Sequence, residues 1–167
     1  MKSGTIRKLK REDVPVLETI VRETGVFTED EVAVAVELMN IFLNHPSQRD
    51  YDVRVSVGHD GAVQGYVCVG PTPMTDGTYD LHWIAVDPKR HGRGIGKELQ
   101  KFTEDLVLSQ GGRLVIAETS GQTKYENTRK FYIALGYTEV ARIENFYRTG
   151  DDKVVYGKYL SQLQGAQ

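Results

Sequence analysis

The sequence predicts an α/β fold of the α+β kind, in which helices flank one mixed, mostly antiparallel sheet with a parallel βαβ unit at its centre. Three observations predict it. Period-two runs recur, as where Val53, Val55 and Val57 alternate with Asp52, Arg54 and Ser56. Helical periodicity with capping signals separates those runs. One strand then runs into a glycine-rich loop, a helix and another strand, an order that gives parallel strands with a right-handed crossover.

The elements follow in order. Residues 5–9 read as a short strand, and Asp13 with Pro15 starts a helix whose Leu17, Ile20, Val21 and Thr24 share a face before Gly25 stops it. Thr28 and Glu31 form a capping box for a second helix, with Val32, Val36, Met39 and Leu43 as its buried stripe, ended by His45-Pro46. Strands at 53–57 and 63–69 are joined by an Asp60-Gly61 turn, and 79–86 is a third strand rich in aromatic and β-branched residues. After the glycine loop, a helix turns Leu99, Phe102 and Leu106 inward and breaks at Gly111-Gly112. Residues 114–117 form a buried strand. The next helix carries Thr128, Phe131, Tyr132 and Leu135 on one face, with Gly136 closing it. Residues 138–143 and 154–160 form a hairpin joined by a loop containing Gly150-Asp151-Asp152, and 161–167 are expected to fray.

Composition narrows the function. The chain has 167 residues and a formal charge of −2, so nothing general draws it to nucleic acid or an anionic membrane. It is read as one domain, residues 1–167 with a core of about 5–160. The single cysteine, Cys68, excludes an intrachain disulfide and cannot by itself build a thiolate metal site; it reads as a small buried hydrophobe. No apolar run nears the ~20 residues that span a bilayer, and no secretory leader is recognised. A soluble, cytoplasmic protein without a metal is expected.

The most informative segment runs from Ile84-Ala85-Val86-Asp87-Pro88 through Lys89-Arg90-His91-Gly92-Arg93-Gly94-Ile95-Gly96-Lys97. Alternate glycines before a helix let backbone N–H groups point outward together, and the positive helix end favours an anion. Lys89, Arg90, Arg93 and Lys97 add cations, so a pyrophosphate is the natural occupant. A Rossmann fingerprint fails because Lys97 or Leu99 stands where its last glycine belongs, and a Walker loop fails at Glu98.

The frame His91-Gly92-Arg93-Gly94-Ile95-Gly96 after Val86-Asp87-Pro88, with Phe131-Tyr132 and Gly136-Tyr137 downstream, resembles the GNAT superfamily of acyl-coenzyme-A-dependent N-acyltransferases. The element order fits over nearly the whole chain. In this sequence His91 replaces the usual Gln or Arg of the signature, and Tyr125 stands where many members carry an Asn that contacts pantetheine. Asn127, two residues out of that frame, reads as a helix N-cap.

The resemblance implies acetyl-CoA as cosubstrate, held where the fourth and fifth strands diverge. Backbone groups of Ile84, Ala85 and Val86 would pair with the pantetheine arm and polarise the acetyl carbonyl. His91, Gly92, Arg93, Gly94, Ile95, Gly96 and Lys97 would cradle the pyrophosphate, and Tyr125 would border the arm. Acyl transfer would be direct, to a small-molecule amine or to a protein N-terminus, and a homodimer is compatible with the chain. Asp80 and Glu118 are the candidate bases, with His82 as a third, and Tyr132 is the candidate general acid. A non-catalytic acyl-CoA-binding sensor or scaffold of the same fold is the alternative. The hairpin segment Ile143-Glu144-Asn145-Phe146-Tyr147 is similar to members that acetylate protein N-termini, where an aromatic residue contacts the peptide.

Overall fold

In the computed structural model, which describes residues 2–160, the period-two segments become seven strands. They are β1 (Gly4–Lys8), β2 (Asp52–Gly58), β3 (Val63–Pro71), β4 (Thr78–Val86), β5 (Leu114–Ser120), β6 (Thr138–Arg148) and β7 (Asp151–Tyr159). Helices α1 (Val14–Glu23), α2 (Glu29–Asn44), α3 (Ile95–Ser109) and α4 (Glu126–Ala134) connect them. The residues expected to fray, 161–167, lie outside those described. The strands form one sheet in the order β1-β2-β3-β4-β5-β7-β6, antiparallel throughout except for the parallel pair β4–β5 that α3 links. This is the mixed sheet that the sequence predicts. Among the described residues no helix is long and apolar enough to cross a membrane.

Side-chain alternation divides the interior between two sheet faces. On β3, Tyr66 and Cys68 point into a core with Leu17, Val21, Val32 and Met39 of α1 and α2. Val67 and Val69 point the other way, into a core with Leu99 and Val107 of α3 and Tyr132 of α4. The expected stripe on α2 shifts slightly: Val32, Ala35 and Met39 are buried, while Val36 and Leu43 are half-buried.

Local chemistry sets the helix ends. The Thr28 hydroxyl accepts from the Glu31 N–H at 3.2 Å and the Glu31 carboxylate accepts from the Thr28 N–H at 2.8 Å, satisfying two donors that the start of α2 leaves open. Asp13 precedes α1 but does not cap it through its side chain. Its buried carboxylate instead takes both guanidinium nitrogens of Arg7, at 2.7 and 3.0 Å, and the Lys10 N–H at 2.8 Å. Gly136, at φ +89°, ends α4, and Tyr137 N–H closes onto Tyr132 O at 3.0 Å. Asn127 is not the N-cap. Tyr125 holds that position, and Asn127 lies exposed inside the first turn of α4.

The last hairpin departs most from expectation. Both strands continue to a tight turn, with Arg148 opposite Asp151 and Gly150 at φ +82°. Between the pairs Ile143–Lys153 and Arg148–Asp151, residues 144–147 oppose Asp152 alone, so β6 bulges outward. Asn145 holds the bulge at φ +53°, a conformation that Asn tolerates better than most residues. Its N–H donates to Asp152 Oδ1 at 3.0 Å, and its side-chain oxygen accepts from the Gly150 N–H at 2.7 Å.

Candidate active site

Pairing between β4 and β5 runs from Thr78–Leu114 to Leu81–Ala117 and stops. Beyond that point the strands part. A bulge on β4 contributes to the change of course: Cys68 faces Trp83 and Val69 faces Leu81, leaving His82 as the extra residue. The bulge resets the side-chain alternation, so Leu81 and Trp83 serve opposite cores although two positions apart.

The opening is a cavity of about 360 Å³. His82, Trp83 and Ile84 line it from β4, and Glu118, Thr119 and Ser120 from β5. Phe27 and Glu31 close one side, Tyr125, Thr128 and Tyr132 another, and Tyr147 and Arg148 arrive from the end of β6. Among the described residues no strand pairs with β4 on its β5 side past Leu81, so the N–H and C=O groups that point away from β3 there, apart from the Val86 carbonyl, are open to an extended ligand. Ala85 is buried in the α1–α2 core, while Ile84 and Val86 pack partly against the α3–α4 core.

The glycine loop follows β4. Asp87 accepts the Lys89 N–H at 3.0 Å and starts a short turn. Gly92 and Gly94 take φ +78° and +79°, and a Cβ on either would meet nothing within 4 Å. Glycine is needed there for backbone conformation, and the space above is open. Gly94 caps α3, Ile95 is buried beneath it, and at Gly96 a Cβ would crowd Phe131 at 3.1 Å. Arg93 and Lys97 are exposed and make no ion pair among the described residues.

Two of the four expected cations are otherwise engaged. Arg90 turns back to Asp60 at 2.7 Å, and Lys89 faces Glu23 at 3.9 Å. His91 Nε2 lies 3.2 Å from the Val86 carbonyl, so the imidazole caps the end of β4.

The proton-handling candidates gather on one side of the parted strands. Glu118 lines the cavity and pairs with Lys153 at 2.9 Å. Asp80 stands opposite Ile116, just inside the point of parting, and is half-buried. His82 lines the cavity with Glu118 and is exposed to it, its ring edge-on to Tyr51. Desolvation by the surrounding walls lowers its pKa, and the charges of Asp80 and Glu118 oppose that shift without cancelling it. The imidazole is therefore predominantly neutral at pH 7.

Tyr132 is 5% exposed, and its ring stacks on Tyr156 at 5.7 Å. Burial pushes its phenol well above the ordinary tyrosine range, so the hydroxyl stays protonated. Tyr125 lines the cavity, its hydroxyl donates to the Val26 carbonyl at 3.0 Å, and the Lys124 ammonium donates to the same oxygen at 3.0 Å. These bonds tie the α1–α2 connection to the start of α4. Beside them Phe27 packs edge-on against Trp83, ring centroids 4.9 Å apart. Cys68 is buried, which pushes its thiol up to about 12, and it serves as a core residue.

Nothing in the local sequence marks Phe27, Lys153 or Arg148 as site residues, and Tyr147 is marked only as part of the hairpin segment Ile143-Glu144-Asn145-Phe146-Tyr147. Asn145 beside Gly150-Asp151-Asp152 was the available signal, because it builds the bulge that brings Tyr147 to the cavity.

A parallel strand pair that splays beside a glycine-capped helix start is the arrangement that the resemblance to acetyltransferases implies. The chain belongs to the GNAT acetyltransferase family, whose domain model matches residues 52–139. A Desulfovibrio desulfuricans protein described as a GNAT-family acetyltransferase is 40% identical and superposes with a TM-score of 0.90, over 94% of this chain and 99% of that one. An aminoglycoside 6′-N-acetyltransferase in complex with coenzyme A shares the fold at 19% identity and TM-score 0.73, over 94% and 97% of the two chains. The ribosomal-protein-S18-alanine N-acetyltransferase of Escherichia coli does so at 19% identity and 0.72, over 95% and 94%. Among curated proteins none matches the sequence.

Proposed function

We propose that the protein moves an acetyl group from acetyl-CoA directly to the amine of a small molecule. The parting of β4 from β5 beside the open Gly92–Gly94 loop carries this reading. The loop fits a pyrophosphate: two left-handed glycines leave the start of α3 uncovered, and Arg93 and Lys97 are available to it. A fold relative solved with coenzyme A supports the choice of donor.

Acetyl-CoA supplies a thioester, whose carbonyl carbon is the electrophile and whose sulfur leaves. The unpaired edge of β4 at residues 84–86 offers backbone donors to the charge that develops on the acetyl oxygen. An alkylammonium of pKa ~10.4 is only about one part in 10³ neutral at pH 7, so the acceptor must lose a proton before it attacks. His82, itself neutral, takes that proton through water, and Asp80 and Glu118 stabilise the imidazolium. Tyr132, kept protonated by burial, supports the departing sulfur as a hydrogen-bond donor, and the proton that His82 took from the acceptor converts the thiolate to the thiol through water. A cavity of about 360 Å³, with the α1–α2 connection tied to α4 at its side, suits a small acceptor.

Thiol release from acetyl-CoA, measured against small amines and N-terminal peptides, tests this. Release with a small amine and an acetylated product supports it. Release with peptides alone overturns the small-molecule acceptor, and saturable coenzyme A binding without release overturns transfer.

A further inference from the structure

We propose that Lys153 is a positioning residue for the transfer, holding the Glu118 carboxylate in place and tempering the charge that His82 feels. This rests on the reading in which His82 takes the acceptor proton. Ser120 pairs with Lys153 across β5 and β7, and Glu118 pairs with Val155, so Lys153 reaches Glu118 diagonally on one sheet face. Its ammonium lies 2.9 Å from Glu118 Oε2 and 4.7 Å from the centre of the Phe146 ring. The β6 bulge supplies that ring. The lysine is the more enclosed partner, with its side chain 17% exposed against 49% for Glu118. Exposed lysines gain little from ion pairs because their side chains must be ordered, but a carboxylate and a ring together restrain this one.

The charges around His82 define the consequence. Asp80 lies on its own strand, Glu118 on β5 and Lys153 behind Glu118 on β7. Glu31, Lys124, the Arg148–Asp151 pair and the phenols of Tyr125, Tyr132 and Tyr147 line the same cavity, and the Tyr51 ring meets the imidazole edge-on. A Glu118 charge left unbalanced draws His82 toward its protonated form, which cannot accept a proton. Lys153 offsets that pull.

The test is a proton NMR titration of the His82 ring in the full chain, assigned with His82→Gln, alongside the pH profile of kcat/KM for the best amine found with acetyl-CoA. Lys153→Met should raise the His82 pKa by about half a unit, and Glu118→Gln should lower it by a similar amount. Lys153→Arg should restore the wild-type value, and Lys153→Met in the Glu118→Gln background should add little. The acid limb of kcat/KM should move with the titration. An unmoved His82 titration in Lys153→Met, or the same movement with Glu118 already removed, overturns the role of Lys153. If the titration moves as expected but His82→Gln keeps the wild-type acid limb, the assignment of His82 as base fails and this inference with it.

Discussion

The His82 imidazole meets the Tyr51 ring edge-on, with centroids 5.2 Å apart and planes at 66°. Held there, at the bulge of β4, the imidazole is exposed to the cavity, and partial desolvation by its neighbours brings its pKa below the ordinary value of 6.5. The acid limb of kcat/KM should therefore lie below pH 6.5, where His82 becomes protonated. Replacing His82 by Gln should abolish that limb and cost about 10²-fold in turnover. The same shift affects stability. Between the lowered folded pKa and the unfolded value near 6.5, the unfolded chain binds more protons. This contribution to stability should then rise with pH through that window and fall on acidification, and His82→Gln should weaken the dependence in denaturant titrations.

Asp80→Asn keeps shape and removes charge. In this account it moves the acid limb to lower pH and leaves a limb in place, because Asp80 only stabilises the imidazolium. A profile without any acid limb would make Asp80 the base.

Tyr132→Phe preserves the stack on Tyr156 and deletes one hydroxyl. Turnover should fall by about 10²-fold with little change in coenzyme A affinity, measured by single-turnover kinetics and calorimetry. Wild-type turnover with chemistry rate-limiting would make Tyr132 a packing residue.

Tyr125→Phe separates two roles for this position. If the hydroxyl serves the Val26 carbonyl, its loss loosens the α1–α2 connection and raises KM for the acceptor several-fold, with coenzyme A affinity kept. A fall in coenzyme A affinity would assign the hydroxyl to the cofactor, as the family resemblance implies.

How much was legible depended on distance along the chain. The run from β4 through the glycine loop to α3 could be read directly, because its chemistry sits in neighbouring residues: alternate glycines, a helix start and cations. The capping box of α2 and the end of α4 at Gly136 were legible for the same reason. Contacts between distant residues were not. Arg90 looked available for a phosphate until the fold brought Asp60, 30 positions away, to its guanidinium. The bond from the Tyr125 hydroxyl to the Val26 carbonyl, 99 positions away, could not be read from either segment alone. The bulge that turns His82 into the cavity depends on register with β3, and a single strand's alternation cannot show it.

The most direct test of the central claim, that the glycine loop holds the diphosphate of acetyl-CoA, is calorimetric titration of coenzyme A into the wild type and Gly94→Glu. A side chain at Gly94 would stand in open space above the start of α3, although φ +79° strains it. Circular dichroism should establish that the variant is folded, and Lys97→Glu supplies a second anion without that strain. Saturable binding to the wild type, loss of binding in folded Gly94→Glu and clear weakening in Lys97→Glu are expected. Equal affinity in all three folded proteins would contradict the claim.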